Sequence, residues 1–186
     1  MPLNGPIDTF VPNSPTYPAD LLARAAKIRL ACFDVDGTLT DGRLYFDSEG
    51  RELKAFHVLD GQGLVLLRKT GITVAFVTAR NSVVAEKRAA ELGVEAHIGV
   101  KDKQVRVDEI RARLGLSAEQ VCFMGDDLPD RVPMQTAGLA VAPANAHASV
   151  LAHAHWRTSA RGGEGAAREL CDLLLLAQGH DATEVA

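Results

Sequence analysis

Three short apolar runs constrain this chain most: residues 28–33, 72–77 and 120–124, each closing on polar residues. Runs of that kind, the first broken only by Arg29, fit parallel strands covered on both faces. Before, between and after them lie segments with helical spacing, at 19–27, 63–70, 82–92, 102–114 and 164–177. Gly71, Gly93 and Gly115 punctuate three of those helices. Residues 94–98, 133–137, 139–142 and 146–152 supply further short elements. Residues 43–46 and 53–56 flank Asp47-Ser48-Glu49-Gly50 and read as a hairpin. The alternation predicts an α/β fold: a Rossmann-like parallel sheet with helices on both faces and a small β-hairpin insertion. Ligands of such sheets bind beyond the carboxyl ends of the strands.

Length and composition narrow the class. The 186 residues, 47% hydrophobic and 24% charged, match one globular domain that needs no disulfide or structural metal to fold. We expect a Pro-rich arm over 1–18, a single domain over 19–179 and a tail over 180–186. Five of the eight prolines fall in the first 20 residues, which lack the basic start and apolar stretch of a signal peptide. No apolar run approaches the roughly 18 residues of a membrane span. Cys32, Cys122 and Cys171 are odd in number and far apart, so a reducing, cytoplasmic setting is expected. A net charge of −4 argues against nucleic-acid and membrane partners.

The informative side chains stand just beyond the apolar runs. The first run enters Asp34-Val35-Asp36-Gly37-Thr38, the second Thr78-Ala79-Arg80, and the third Gly125-Asp126-Asp127; Lys103 opens an intervening helix. A parallel sheet gathers these groups at one edge, where carboxylates repel unless a cation such as Mg²⁺ neutralises them. The chemistry this permits is phosphoryl transfer, because a carboxylate attacks phosphorus once the phosphate charge is screened. Lys103 adds a positive charge and Thr78 a hydroxyl donor. Asp36 is placed to protonate a leaving alkoxide and then to deprotonate water.

Those four clusters, in that order, resemble the motifs of the haloacid-dehalogenase-like phosphatases. The resemblance implies that Asp34 is the nucleophile, Asp36 the general acid/base and a Mg²⁺ ligand through its carbonyl, and Thr78 and Lys103 the phosphoryl holders. It makes Asp126 a direct metal ligand and places Asp127 in or near the metal shell. About forty residues separate the first two motifs, fewer than the 50 or more of an independent cap domain. The site is therefore expected to be open unless another subunit covers it. Lys54-Ala55-Phe56-His57 with Asp60-Gly61-Gln62-Gly63, Gly125 to Asp130, and Arg161-Gly162-Gly163 with Arg168 are similar to a capless branch acting on 3-deoxy-D-manno-octulosonate 8-phosphate. That branch implies a Mg²⁺-dependent homotetramer serving lipopolysaccharide synthesis, with hairpins meeting centrally and the Gly-rich segment near a neighbour's active site. Ala79 and Gln62 depart from its usual pattern, at positions bordering the substrate.

Some residues admit two readings. Gly61-Gln62-Gly63 reads either as a helix N-terminus offering amides to an anionic substrate or as a plain tight turn. Arg80 suits a sugar carboxylate or plain solvent, and Arg161 a substrate in the adjoining subunit or a flexible link. His147, His153 and His155 lack metal-ligand spacing and read as surface or packing residues. Alternative functions are a phosphatase of a nine-carbon sugar-acid phosphate, a receiver-like phosphoacceptor and a non-catalytic oligomerisation module.

Overall fold

The computed structural model describes residues 16–181 and 185, so most of the Pro-rich arm lies outside the described residues. In chain order the elements are α1 (Ala19–Ala25), β1 (Leu30–Phe33), β2 (Tyr45–Phe46), β3 (Glu52–Leu53), α2 (Val58–Lys69), β4 (Thr73–Val77) and α3 (Val83–Leu92). There follow β5 (Glu95–His97), α4 (Lys103–Arg113), β6 (Val121–Met124), α5 (Arg131–Thr136), β7 (Leu139–Ala142), α6 (Ala148–Leu151), β8 (Trp156–Arg157) and α7 (Ala166–Ala177).

Six strands form one sheet in the order β5-β4-β1-β6-β7-β8, and every pair is parallel. The strand β1 lies between β4 and β6, with Leu30 level with Thr73 and Val121. Alternate residues along each strand face opposite ways. Ala31, Phe33, Val74, Phe76, Cys122 and Met124 pack beneath α1, α2, α3 and α7. Leu30, Cys32, Ala75, Val77, Val121 and Phe123 pack beneath α4, α5 and α6. Both faces are thus apolar, which explains the unbroken hydrophobic runs. The segment between β1 and β4 holds only the β2–β3 hairpin and α2, so no cap domain is present.

Local chemistry sets several boundaries. Ser82 accepts from the Ala85 N–H and Asp102 from the Val105 N–H, capping α3 and α4. The helix α2 begins at Val58, five residues before the expected 63, because Gly61 and Gly63 lie inside it. A Cβ on Gly61 would sit 2.2 Å from Arg88 Nη2, and one on Gly63 2.9 Å from Cys171 Cβ. These glycines permit close helix packing and do not break the helix. The strand β8 was not expected from the sequence; two residues are too few to show a period.

Candidate active site

Because β1, β4 and β6 are adjacent and parallel, the residues that follow them share one edge. Asp34 follows β1 directly, and its N–H donates to Met124 O at 2.9 Å. Thr78 follows β4 and is buried, its N–H donating to His97 O at 3.0 Å and its carbonyl accepting from Val100 N at 2.9 Å. Asp126 follows β6 by way of Gly125. Lys103 is the first residue of α4, yet its side chain is only 4% exposed. Its Nζ reaches Asp34 Oδ1 at 2.7 Å and Asp130 Oδ1 at 2.6 Å.

Asp34, Asp126 and Asp130 each offer a carboxylate oxygen, and these oxygens all lie within 4.8 Å of one another. Burial pushes the Asp34 carboxyl well above the usual carboxylate range, and Asp130 adds to the rise while Lys103 opposes it. Burial and then Asp130 raise Asp126 from 3.8 to about 6, against a hydrogen bond from Thr38 Oγ1 at 3.0 Å. Burial works against the Lys103 charge, but Asp34 and Asp130 outweigh it and hold this ammonium above the ordinary lysine range. The two raised carboxyls mark a place where a divalent cation would relieve repulsion, and hard oxygen donors suit Mg²⁺.

Asp130 has a different task within the trio. Its Oδ1 takes Lys103, while its Oδ2 accepts from the N–H groups of Asp126 and Asp127 at 3.0 and 3.2 Å. It therefore aims both the lysine and the Asp126 loop. Asp127, expected in or near the metal shell, lies outside the trio and is exposed at the start of the 3₁₀ turn Leu128–Asp130. That turn brings the residue three positions later inward. Gly37 has φ of 93°, and a Cβ there would fall 2.1 Å from Asp126 Oδ2, so only glycine lets the loop after β1 approach the acid.

The remaining expected residues divide by location. Asp36 and Arg80 share a patch: Asp36 Oδ1 contacts Lys54 Nζ, and Arg80 Nε lies 3.8 Å from Asp36 Oδ2. Gly61 and Gly63 offer no free helix N-terminus, since the Gly61 N–H donates to His57 O within α2 at 3.2 Å, and Gln62 is exposed. The Gly-rich segment packs on its own chain's loop. The Gly162 N–H donates to Asn145 Oδ1 at 2.6 Å, Asn145 Nδ2 donates to Gly37 O at 3.0 Å, and the Gly163 N–H donates to Thr38 O at 3.2 Å. Arg161 is exposed, 4.0 Å from Glu164. His147 caps α6, His153 meets Gln135, and His155 Nδ1 accepts from Ala140 N, so each is engaged locally.

Sequence reasoning gave no role to three residues that the fold makes prominent. Asp130 and Lys54 stood within quoted motifs, but nothing in their spacing showed the contacts they make. Asp60, 2% exposed, accepts from the Arg168 and Gly165 N–H groups at 2.8 and 3.4 Å and so caps α7 from another helix. With that helix expected to start at 63, the sequence places Asp60 ahead of it and carries no sign of a cap 105 to 108 residues away.

A carboxylate held by a buried ammonium at the head of a parallel sheet, with two further acids beside it, defines a phosphoryl-transfer hydrolase that uses a divalent cation. A sequence profile described as haloacid dehalogenase-like hydrolase matches residues 98–170. The 3-deoxy-D-manno-octulosonate 8-phosphate phosphatase of Yersinia pestis is 47% identical over 160 residues, covering 86% of each chain. A hypothetical protein from Xanthomonas campestris superposes with a TM-score of 0.88 at 55% identity, covering 100% of this chain and 97% of that one. The phosphatase of the same sugar phosphate from Moraxella catarrhalis, solved with magnesium, phosphate and the free sugar acid, gives a TM-score of 0.84 at 38% identity, over 86% of this chain and 92% of that one. The chain belongs to the haloacid dehalogenase-like hydrolases and is a phosphoric monoester hydrolase.

Proposed function

We propose that this enzyme hydrolyses 3-deoxy-D-manno-octulosonate 8-phosphate to the free sugar acid and inorganic phosphate. The observation that carries the reading is the 47% identity, over 86% of both chains, to a phosphatase of that compound. Asp34 and Asp126, with the Asp36 carbonyl, would hold Mg²⁺, which when bound would screen the phosphate charge. Asp34 attacks phosphorus, the ester P–O bond breaks, and Asp36 gives its proton to the departing alkoxide. Asp36 then takes a proton from water, which attacks the aspartyl-phosphate and releases phosphate and Asp34. Lys103 and Thr78 hold the phosphoryl oxygens, and Arg80 meets the sugar carboxylate.

The same reading makes the enzyme a cytoplasmic homotetramer in lipopolysaccharide synthesis. Support for assembly comes from the hairpin and the start of α2, where Leu44, Phe46, Leu53, Val58 and Leu59 are all more than half exposed. Apolar side chains clustered in this way suit a subunit contact. Arg161 would then face a neighbouring subunit's substrate. No helix among the described residues is long and apolar enough to cross a membrane.

The test is phosphate release from a panel of sugar-acid and neutral sugar phosphates with added Mg²⁺. The expected result is a kcat/KM at least about tenfold higher for the eight-carbon compound, worth about 1.4 kcal/mol of transition-state binding. Preference for a nine-carbon sugar-acid phosphate would replace the substrate while keeping the reaction.

A further inference from the structure

Lys54 is a charged residue beside the site that the roles above leave unused. It follows β3 in a two-stranded ribbon, where a lysine ordinarily keeps its ammonium in water. Here the side chain is 2% exposed, in contact with Asp36 Oδ1 and 3.1 Å from Glu52 Oε1. Glu52 is fixed in turn: Oε1 accepts from Arg80 Nη2 at 2.9 Å and Oε2 from Ser82 Oγ at 2.6 Å. Burial pushes the Glu52 carboxyl up, but hydrogen bonds from Ser82, Arg80 and Lys54 outweigh that and take it down to about 2. Glu52 therefore stays ionised and gives Lys54 a constant anchor. A polar chain runs from the cap of α3 through Glu52 and Lys54 to Asp36.

The two oxygens of Asp36 stand in different circumstances. Oδ1 is engaged by Lys54, whereas Oδ2 is buried with no hydrogen-bond partner and faces Arg80 Nε, which also has none. We propose that Lys54 is a positioning residue, holding Asp36 by Oδ1 so that Oδ2 is presented to the leaving-group oxygen. The inference rests on the acid/base role given to Asp36 above. A carboxyl free to turn about its terminal torsion offers either oxygen over a broad range, and proton transfer needs one oxygen within hydrogen-bond reach of the ester. The benefit falls in the step where the ester P–O bond breaks and the alkoxide takes the Asp36 proton. A leaving group already stable as an anion gains little from that proton.

The experiment compares kcat/KM for an alkyl sugar phosphate and for p-nitrophenyl phosphate in wild-type, Lys54→Met and Lys54→Arg enzyme at saturating Mg²⁺. This parameter reports phosphorylation of Asp34 and not the later attack by water. Lys54→Met is expected to lower it about 100-fold for the alkyl ester and less than about fivefold for the aryl ester. Lys54→Arg is expected to recover part of the alkyl activity, since it keeps a cation beside Oδ1. If Lys54→Met does not fold, Glu52→Gln, which removes the anchor and leaves the ammonium, carries the same expectation at smaller size. Equal losses on both substrates, or no loss on either, overturn the proposal for Lys54 alone. A wild-type enzyme releasing phosphate from neither substrate overturns it together with the proposed function.

Discussion

At the carboxyl ends of β1, β4 and β6, Lys103 sits between Asp34 and Asp130, and none of the three side chains is more than 10% exposed. At the amino ends of the same strands, Lys27 pairs with Glu119 at 2.9 Å, and those side chains are 57% and 72% exposed. Distance hardly separates the two ends. Water does. Withdrawing ions from solvent costs several kcal/mol apiece, and only close partners offset it. A solvated pair contributes little and is screened by salt. The buried end thus keeps charges that the fold alone has no need of, and raised carboxyls such as Asp126 mark the tension that a cation would relieve.

The hardest test of this contrast is Asp34→Asn. Turnover should fall more than about 1,000-fold, because the proposed nucleophile is gone, while circular dichroism stays that of the wild type. Near-normal turnover would show that the buried end is structural. Next comes a matched pair of substitutions. Lys103→Met leaves Asp34 and Asp130 facing each other without their ammonium, so denaturant titration should show a loss of about 3–5 kcal/mol, with kcat down about 100-fold. Lys27→Met in the same titration should leave midpoint and kcat unchanged. Equal destabilisation by both substitutions would abolish the distinction between the ends.

The smallest expected effect is a dependence on pH. Asp126 and Asp34 have folded values above their ordinary ones, so between about pH 4 and pH 6 these two groups hold more protons in the native chain than in the unfolded one. Their contribution to the stability of metal-free protein should therefore fall as pH rises through that window, with Asp34 extending the decline upward. Mg²⁺ competes with those protons, so its stabilising effect should be larger at pH 8 than at pH 5. Thermal melts with EDTA and with excess Mg²⁺ check both slopes. A pH dependence in EDTA that Asp126→Asn leaves unchanged would contradict the burial of that acid.

Features written in consecutive residues were legible in the sequence. The runs that became β1, β4 and β6, the helix starts near Ser82 and Asp102 and the stop at Gly93 each depend on neighbours a few positions away. What escaped depends on the tertiary fold. Gly61 and Gly63 resemble breakers until Arg88 and Cys171 are seen against them. Asp127 and Asp130 are both acids after a strand, and only the short turn between them decides which faces inward. Lys54 reads as a solvated hairpin residue because the acid that buries it is 18 positions away. A sequence shows that acids gather at a strand end; it does not show which of their oxygens is already spoken for.

The brace on the loop after β1 bears on how the protein is made. Asn145 lies 108 residues downstream of Gly37, and a Cβ on Gly162 would fall 1.8 Å from the Gly37 carbonyl. During synthesis, then, Asp34 emerges from the ribosome early, on a loop whose final shape awaits the last quarter of the chain. A product truncated before Asn145 would carry Asp34 without the residues that brace its loop.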